Sequence, residues 1–224
     1  MPTLKQSTSL KTILAAGLLT ALSACNGLLS PVYDDDPGET EETFGFVKIA
    51  EGDTPGMLYI DATDYKHWNY IDFHSNTITT LPVDQDPPAD LAWDIALHRY
   101  DVKTNQGAAL QTAFKSIGSL IGYGRMPQGN YTEDVVADSV VIADISRMTE
   151  GIIEYITTQY NPVVSLWLNY DLMTMPPIYH YVDDVFVVRL RDNTHLALHL
   201  DSYTNDKGTK GYMHISYMYP LQLP

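Results

Sequence analysis

The sequence predicts an all-β fold, organised as a single antiparallel domain over residues 44–224. In this region, short runs rich in Val, Ile, Thr, Tyr and Trp are separated by Gly, Asn, Asp and Pro, which is the composition of strands and turns. Residues 195–203 alternate in polarity, so that Leu196, Leu198 and Leu200 face the same side of one predicted strand. Few segments show the spacing of apolar residues that is typical of helices. We therefore expect strands to form most of the core.

The predicted elements follow one another with short connections. Two segments, 115–121 and 152–160, are candidates for short helices, and the second is equally good as a strand. Tight turns at residues 192–194 and 205–210 make the last three strands an antiparallel meander. The predicted strands lie at residues 46–50, 57–61, 69–74, 77–81, 93–98, 101–104, 109–114, 164–170, 185–191, 195–203 and 211–219.

Composition limits the classes of function. The 224 residues suffice for one globular domain or two small ones, and 45% hydrophobic against 18% charged content is typical of a folded chain. The formal net charge of −15 argues against binding nucleic acid or an anionic membrane surface through charge. The single Cys excludes an intramolecular disulfide and any zinc or iron–sulfur site built from several cysteines.

The N-terminus has the features of a lipoprotein signal peptide, predicted over residues 1–24. Lys5 and Lys11 precede an apolar run of twelve residues, 13–24, which is too short to span a membrane. The run ends in Leu-Ser-Ala-Cys25, which resembles a bacterial lipobox, so we predict lipidation at Cys25. An ordinary secretory signal with a chance Cys is the alternative. Asn26, where Asp would favour retention in an inner membrane, points to an outer-membrane lipoprotein.

Residues 25–43 are predicted to be a flexible acidic tether between the lipid anchor and the folded domain. They contain Pro, Gly and many acidic residues, with little apolar periodicity. The acidic run 34–36 is either a solvated spacer or a signal for export to the cell surface. No later segment approaches 18 uninterrupted apolar residues, so a second membrane anchor is not expected.

Motifs of enzymes are absent from the sequence. The Gly-rich segment 122–129 lacks the Lys-Ser/Thr of a phosphate loop, and neither Gly-x-Ser-x-Gly nor His-Glu-x-x-His occurs. We therefore do not expect an enzyme.

The segment after predicted strand 164–170 is unusual for a loop. Met173 and Met175 lie within three residues of each other and precede Pro176-Pro177. Two interpretations stay open: the loop folds back on an apolar patch, or a thioether binds a soft metal or a haem iron. Ligation requires a second ligand, and Met148, beside the cation Arg147 in another turn-like segment, is a candidate.

Several segments together resemble the HmuY family of haem-binding lipoproteins. The most specific is Trp-Asp-Ile-Ala-Leu-His-Arg-Tyr-Asp-Val at 93–102, and the resemblance covers about residues 59–220, weakest over 115–161. It implies an all-β domain that binds one haem in a cleft, through two axial side chains from the loops before and after strand 163–170. The other matching segments are 65–73, 187–192, 202–203, Gly208, 211–212 and 215–217.

The resemblance implies methionine ligands in this chain. Some members use a His pair and others a Met pair, and neither loop contains His here. Leu172 stands nearest to the position of the His-type ligand, flanked by Met173 and Met175. We predict that Met148 and Met175 bind the iron, with Met173 as the alternate to Met175. Pro176-Pro177 favours Met175, because it restricts the backbone that ligation must order.

Other residues receive supporting roles from what a haem cleft requires, because it must cover an apolar macrocycle and meet two propionates. Arg147 is the candidate partner of a haem propionate. Tyr179, with Tyr170 and Tyr181, offers flat apolar faces with polar tips to the macrocycle. His180 is the fallback ligand.

Two functions of different classes follow from the sequence. One is a haem-binding lipoprotein that takes haem from host or environmental haemoproteins and hands it to a TonB-dependent outer-membrane receptor. The other is a β-rich structural or adhesion lipoprotein in which the loop methionines are merely packed.

Overall fold

The computed structural model describes residues 43–171 and 178–224. Within these ranges the fold is all-β apart from one short α-helix, α1 (Ile117–Tyr123), and two 3-10 turns, Met148–Glu150 and Val164–Trp167. Its strands in the described ranges are β1 (Gly45–Lys48), β2 (Gly56–Asp61), β3 (His67–Asp72), β4 (Thr77–Pro82), β5 (Ile95–His98), β6 (Asp101–Thr104), β7 (Ala108–Gln111), β8 (Thr132–Glu133), β9 (Val135–Ala137), β10 (Ile142–Asp144), β11 (Glu154–Tyr155), β12 (Thr158–Tyr160), β13 (Leu168–Asp171), β14 (Ile178–Tyr181), β15 (Phe186–Arg189), β16 (His195–Thr204) and β17 (Lys210–Met218).

Two sheets and three two-stranded ribbons form the architecture of the described residues. The large sheet has seven strands in the order β1-β2-β17-β16-β15-β7-β8, and the small sheet has four in the order β4-β3-β5-β6. The ribbons are β10-β11, β12-β9 and β13-β14. Neighbouring strands pair antiparallel throughout, and β15, β16 and β17 form the meander that the sequence predicted.

The main core lies between the two sheets. Leu196, Leu198 and Leu200 of β16 all point into it, which confirms the predicted alternation. The large sheet adds Leu58, Ile60, Phe186, Val188, Met213 and Ile215, and the small sheet adds Ile71, Ile95 and Leu97. Burial of these apolar side chains is the main force that holds the sheets face to face.

The outer faces of both sheets are also covered. Helix α1 packs Ile117 and Leu120 against Val187 and Ala197 of the large sheet. Ser116 caps this helix, because its hydroxyl accepts the backbone N–H of Ser119 at 3.1 Å. The outer face of the small sheet meets a second cluster, formed by Trp68, Tyr70, Ala96 and Val141 with Ile156 and Tyr160 at its edge.

The structure differs from the predicted elements between residues 132 and 181. Candidate helix 152–160 forms the short strands β11 and β12, so the strand interpretation was the right one. Predicted strand 164–170 begins as a 3-10 turn and becomes extended only at Leu168. The cause is Asn161, whose side-chain oxygen accepts the N–H groups of Val163 and Val164 at 3.0 and 3.1 Å and so bends the chain.

Candidate functional site

Met148 lies in the turn of a β-hairpin. Strands β10 and β11 pair Ile142 with Tyr155, and the turn between them contains the 3-10 segment Met148–Glu150. The Met148 N–H donates to the Ile145 carbonyl at 2.9 Å, and the Gly151 N–H donates back to the Met148 carbonyl at 2.9 Å. Gly151 adopts the left-handed region at φ 79°, which closes the turn. These bonds fix the backbone that carries the half-buried Met148 side chain.

Arg147 has a partner within the same turn. Its Nε and Nη2 atoms donate to Glu150 Oε2 at 3.2 and 3.0 Å, and both side chains are more than half exposed. An exposed pair of this kind contributes little to stability. A haem propionate would therefore have to compete with Glu150 for the guanidinium.

The first hairpin is attached to the small sheet through its base. Val141 and Ile156 flank the hairpin, and the Ile156 N–H donates to the Val141 carbonyl at 3.0 Å. Both side chains pack with Trp68 on the outer face of the small sheet. These contacts attach the hairpin that carries Met148 to the small sheet.

The chain between the two hairpins runs along strand β6. The Asn161 N–H donates to the Val102 carbonyl at 2.6 Å, and the Val102 N–H donates to Ser165 Oγ at 3.0 Å. The Trp167 indole N–H then reaches the Tyr100 carbonyl at 2.9 Å. One edge of the small sheet therefore fixes the connection between both hairpins.

A buried side chain, Asn161, organises this connection. Its amide nitrogen donates to the Thr132 carbonyl and to Asp134 Oδ1, both at 3.0 Å. Asp134 in turn accepts the Thr104 N–H and hydroxyl at 2.6 and 2.9 Å, while burial raises the pKa of the Asp134 carboxyl. Sequence reasoning missed this network, because its members are far apart along the chain.

The second methionine segment lies between the strands of another hairpin. Strands β13 and β14 pair Leu168 with Tyr181 and Asp171 with Ile178. Met173 and Met175, like Leu172, fall in residues 172–177, outside the described residues. The predicted methionines on both sides therefore belong to the chain between paired strands of two separate hairpins.

Tyr179 and Tyr181 attach the second hairpin to the large sheet. The Tyr179 ring lies 5.5 Å from the Tyr203 ring, centroid to centroid, and Lys210 Nζ lies 5.1 Å from the Tyr179 centroid. The Tyr181 hydroxyl accepts the Tyr203 N–H at 3.0 Å. His180 alternates to the other face of β14 and is exposed. Tyr179 is half-buried in this packing, so only part of its ring is accessible to a ligand.

Tyr203 reaches this position through an irregularity of β16. The register between β16 and β17 shifts between Leu200 and Ser202, which inserts one residue and reverses the alternation beyond that point. Tyr203 therefore joins the leucines in the main core, although simple alternation places it on the opposite face. The sequence carries no signal for this shift.

His98 is fully buried. One ring nitrogen, Nε2, lies 2.7 Å from the Tyr65 carbonyl, and the ring lies 5.2 Å from that of Trp68. Its surroundings are those of a polar side chain packed in the core of the small sheet.

The chain is similar to one protein family and to several proteins of known structure. Residues 64–217 match the family described as HmuY protein. A candidate lipoprotein of Bacteroides fragilis has a solved structure that is 40% identical, with a TM-score of 0.77, and the match covers 83% of this chain and all of that one. A candidate HmuY-like haem-binding protein of Bacteroides vulgatus is 42% identical, with a TM-score of 0.75, over 81% of this chain and all of that one.

A more distant structure shares the fold alone. The apo HmuY analogue of Tannerella forsythia is 24% identical, with a TM-score of 0.64, over 83% of this chain and all of that one. No curated protein matches the chain.

The chain therefore shares its all-β fold with these proteins of Bacteroides and Tannerella. The chain belongs to the HmuY family. Among the residues that the structure describes, no helix is both long and apolar enough to cross a membrane.

Proposed function

We propose that this protein is a haem-binding lipoprotein that holds one haem between its two methionine-bearing hairpins. The observation that carries the proposal is the placement of Met148 in one hairpin turn and of Met173 and Met175 between the strands of another. Family membership and the Bacteroides vulgatus relative described as haem-binding support it.

Met148 and Met175 are the proposed axial ligands, with Met173 as the alternate to Met175. Thioether sulfur is an accepted axial ligand of haem iron. The Met148 turn is closed by its own backbone hydrogen bonds, so little ordering is needed on that side. On the other side, Pro176-Pro177 restricts the chain that follows Met175. His180 is the alternative ligand, and its exposed position beside the same loop leaves it free to turn toward an iron.

Tyr179 and Arg147 have supporting roles in this proposal. The accessible part of the Tyr179 ring offers an apolar face to the macrocycle, while its contact with Tyr203 keeps the hairpin in place. Arg147 pairs with a propionate by exchanging Glu150 for the new carboxylate. The exchange replaces one exposed ion pair with another, so the net electrostatic gain is small.

The anchor and the exchange of haem complete the proposal. Lipid on Cys25 attaches the protein to the outer membrane, and residues 25–43 separate the anchor from the folded domain. Haem taken from host or environmental haemoproteins then passes to a TonB-dependent receptor in the same membrane.

A haemin titration tests the proposal. We expect a sharp Soret band that saturates at one haem per chain. Replacement of Met57, an exposed methionine on β2, should leave the titration unchanged and serves as the control for nonspecific thioether binding. A spectrum that never saturates would favour the structural or adhesion function instead.

A further inference from the structure

A histidine and two aspartates converge at one end of the small sheet. Asp72 ends β3, His74 lies in the turn after it, and Asp94 directly precedes β5. Their potential ligand atoms all lie within 4.8 Å of one another. His74 Nδ1 is 3.2 Å from Asp94 Oδ2 and 3.5 Å from Asp72 Oδ1, so a single ring nitrogen faces two carboxylates.

Both carboxylates are held in place by hydrogen bonds to the backbone. Asp72 Oδ1 accepts the His74 N–H at 2.8 Å, and Asp72 Oδ2 accepts the Ser75 hydroxyl at 2.7 Å. Asp94 Oδ2 accepts the Phe73 N–H at 2.7 Å. Each aspartate side chain is only 9% exposed. The two carboxylates are therefore preorganised, and an incoming ligand need not order them.

The other ring nitrogen of His74 is oriented by a separate segment. Nε2 lies 3.0 Å from Asp192 Oδ2, in the turn between β15 and β16, and 2.6 Å from the Tyr219 hydroxyl. A histidine that binds a metal through one nitrogen commonly donates the other N–H to a carboxylate, which fixes its tautomer and ring plane. Asp192 occupies the position of that orienting carboxylate.

The cluster opens into a cleft of about 420 Å³. Leu91, Trp93 and Asn105 contribute to its walls, and Arg191 is the cation among its lining residues. Asp72, Asp94 and Asp192 line the same cleft, so the carboxylates outnumber the cation. A small cation can reach the cluster and would lower this excess of negative charge.

We propose that Asp72, His74 and Asp94 bind a divalent first-row transition-metal ion, with Asp192 as the residue that orients His74. Two ligand atoms on one such ion, each bonded at about 2.1 Å, lie roughly 3.0–3.5 Å apart. The separations of 3.2 and 3.5 Å between His74 Nδ1 and the two carboxylates fall in or at the end of that range. The imidazole favours Zn²⁺ over Mg²⁺ and Ca²⁺, which prefer oxygen ligands alone.

Calorimetric titration of the full-length chain in detergent, with Zn²⁺ alone as the probe, tests this site. We expect one Zn²⁺ per chain and no comparable binding of Mg²⁺. His74→Gln or Asp94→Asn should weaken Zn²⁺ binding by at least about 100-fold, because each removes a metal ligand. Removal of a residue that only orients a ligand costs less, about 10- to 100-fold. His67→Gln is the matched control, because His67 pairs with one exposed carboxylate, Asp64, at 2.7 Å. It should bind Zn²⁺ as the wild type does.

Asp192→Asn keeps the test informative if a variant of a buried residue fails to fold. Asp192 is 46% exposed, and an asparagine can still accept the Thr194 N–H that Asp192 accepts at 2.9 Å. Its Zn²⁺ affinity should fall about 10- to 100-fold. Absence of binding by the wild type, equal binding by the Asp192→Asn variant, or an equal loss in His67→Gln would overturn the proposal. Since the titration uses no haem, its outcome is independent of the proposed haem site.

Discussion

The rings of Tyr179 and Tyr203 lie 5.5 Å apart, and this contact joins the second hairpin to the large sheet. Tyr203 is fully buried, whereas Tyr179 is only half-buried. The hairpin that leads to Met173 and Met175 is thus attached through a side chain that also has an accessible face. Stability of the hairpin and affinity for a ligand at its end are expected to be coupled at this pair.

Tyr179→Ala should lower both the free energy of unfolding and the affinity for haem. Loss of an aromatic contact and of half-buried apolar area destabilises by about 2 kcal/mol. Because a looser hairpin must be ordered on binding, we expect haem affinity to fall about tenfold. Urea unfolding and haemin titration measure the two effects. Tyr123→Ala, which removes a ring contact with Phe114 that involves neither hairpin, should leave haem affinity unchanged.

Asn161→Ala should destabilise the whole domain. The substitution removes two side-chain donors and leaves the N–H groups of Val163 and Val164 without their acceptor. Unsatisfied buried polar groups of this kind cost about 3 kcal/mol in total. Thermal and urea unfolding measure the loss. Asn105→Ala, where the side-chain amide donates one bond to the Trp93 carbonyl, should cost about 1 kcal/mol. Similar losses in both variants would contradict the central role of Asn161.

His199 should make stability depend on pH. Its Nδ1 lies 2.7 Å from Asp201 Oδ1 and its Nε2 lies 3.1 Å from Asp183 Oδ1. The hydrogen bond to Asp201 raises the pKa of His199, and the bond to Asp183 adds to this despite burial, which acts in the opposite direction.

A raised pKa in the folded state means that the protonated form stabilises the fold. This contribution is complete below the unfolded-state pKa, about 6.5, and is lost as the pH rises through the higher pKa of the folded protein. Urea unfolding of the wild type should therefore become easier as the pH rises above about 6.5, and His199→Gln should flatten this dependence. His180→Gln, at an exposed position, should retain the wild-type profile. A profile that is the same in both variants would exclude His199 as its source.

Cys25→Ser should release the protein from the membrane. Without the thiol no lipid can be attached, and the apolar run that ends at Ala24 is too short to span a bilayer. Fractionation of cells that express each form measures the effect, and the wild type should remain with the outer membrane. If the variant fractionates with the wild type, the lipobox assignment is wrong.

The sequence predicted the sheets well because their strands obey simple alternation. Leu196, Leu198 and Leu200 mark a core face, and the turns beside them are rich in Asn, Asp and Gly. The alternation predicted a strand at Val164, but this prediction was wrong. The Asn161 side chain accepts the Val164 N–H and bends the chain into a 3-10 turn there. The register shift that moves Tyr203 into the core is likewise invisible to a pattern of period two.

The candidate sites depend on a different kind of information. Met148 and the loop methionines stood out because their residue type is unusual in turns. The cluster around His74 did not, because Asp94 lies 20 residues from His74 and Asp192 lies 118 residues from it along the chain. Pairing of β3 with β5 in the small sheet brings Asp94 to His74, and packing of the large sheet against the small one brings Asp192 there. Contacts between residues so far apart along the chain produce no motif or periodicity that sequence analysis could detect.

The measurement that tests the central claim most directly is the absorption spectrum of the haem complex in three single variants, Met148→Ala, Met173→Ala and Met175→Ala. We predict that Met148→Ala and Met175→Ala each change the Soret band and weaken haem binding, while Met173→Ala leaves the spectrum close to that of the wild type. Spectra unchanged in all three variants would contradict methionine ligation and point to His180 as the ligand.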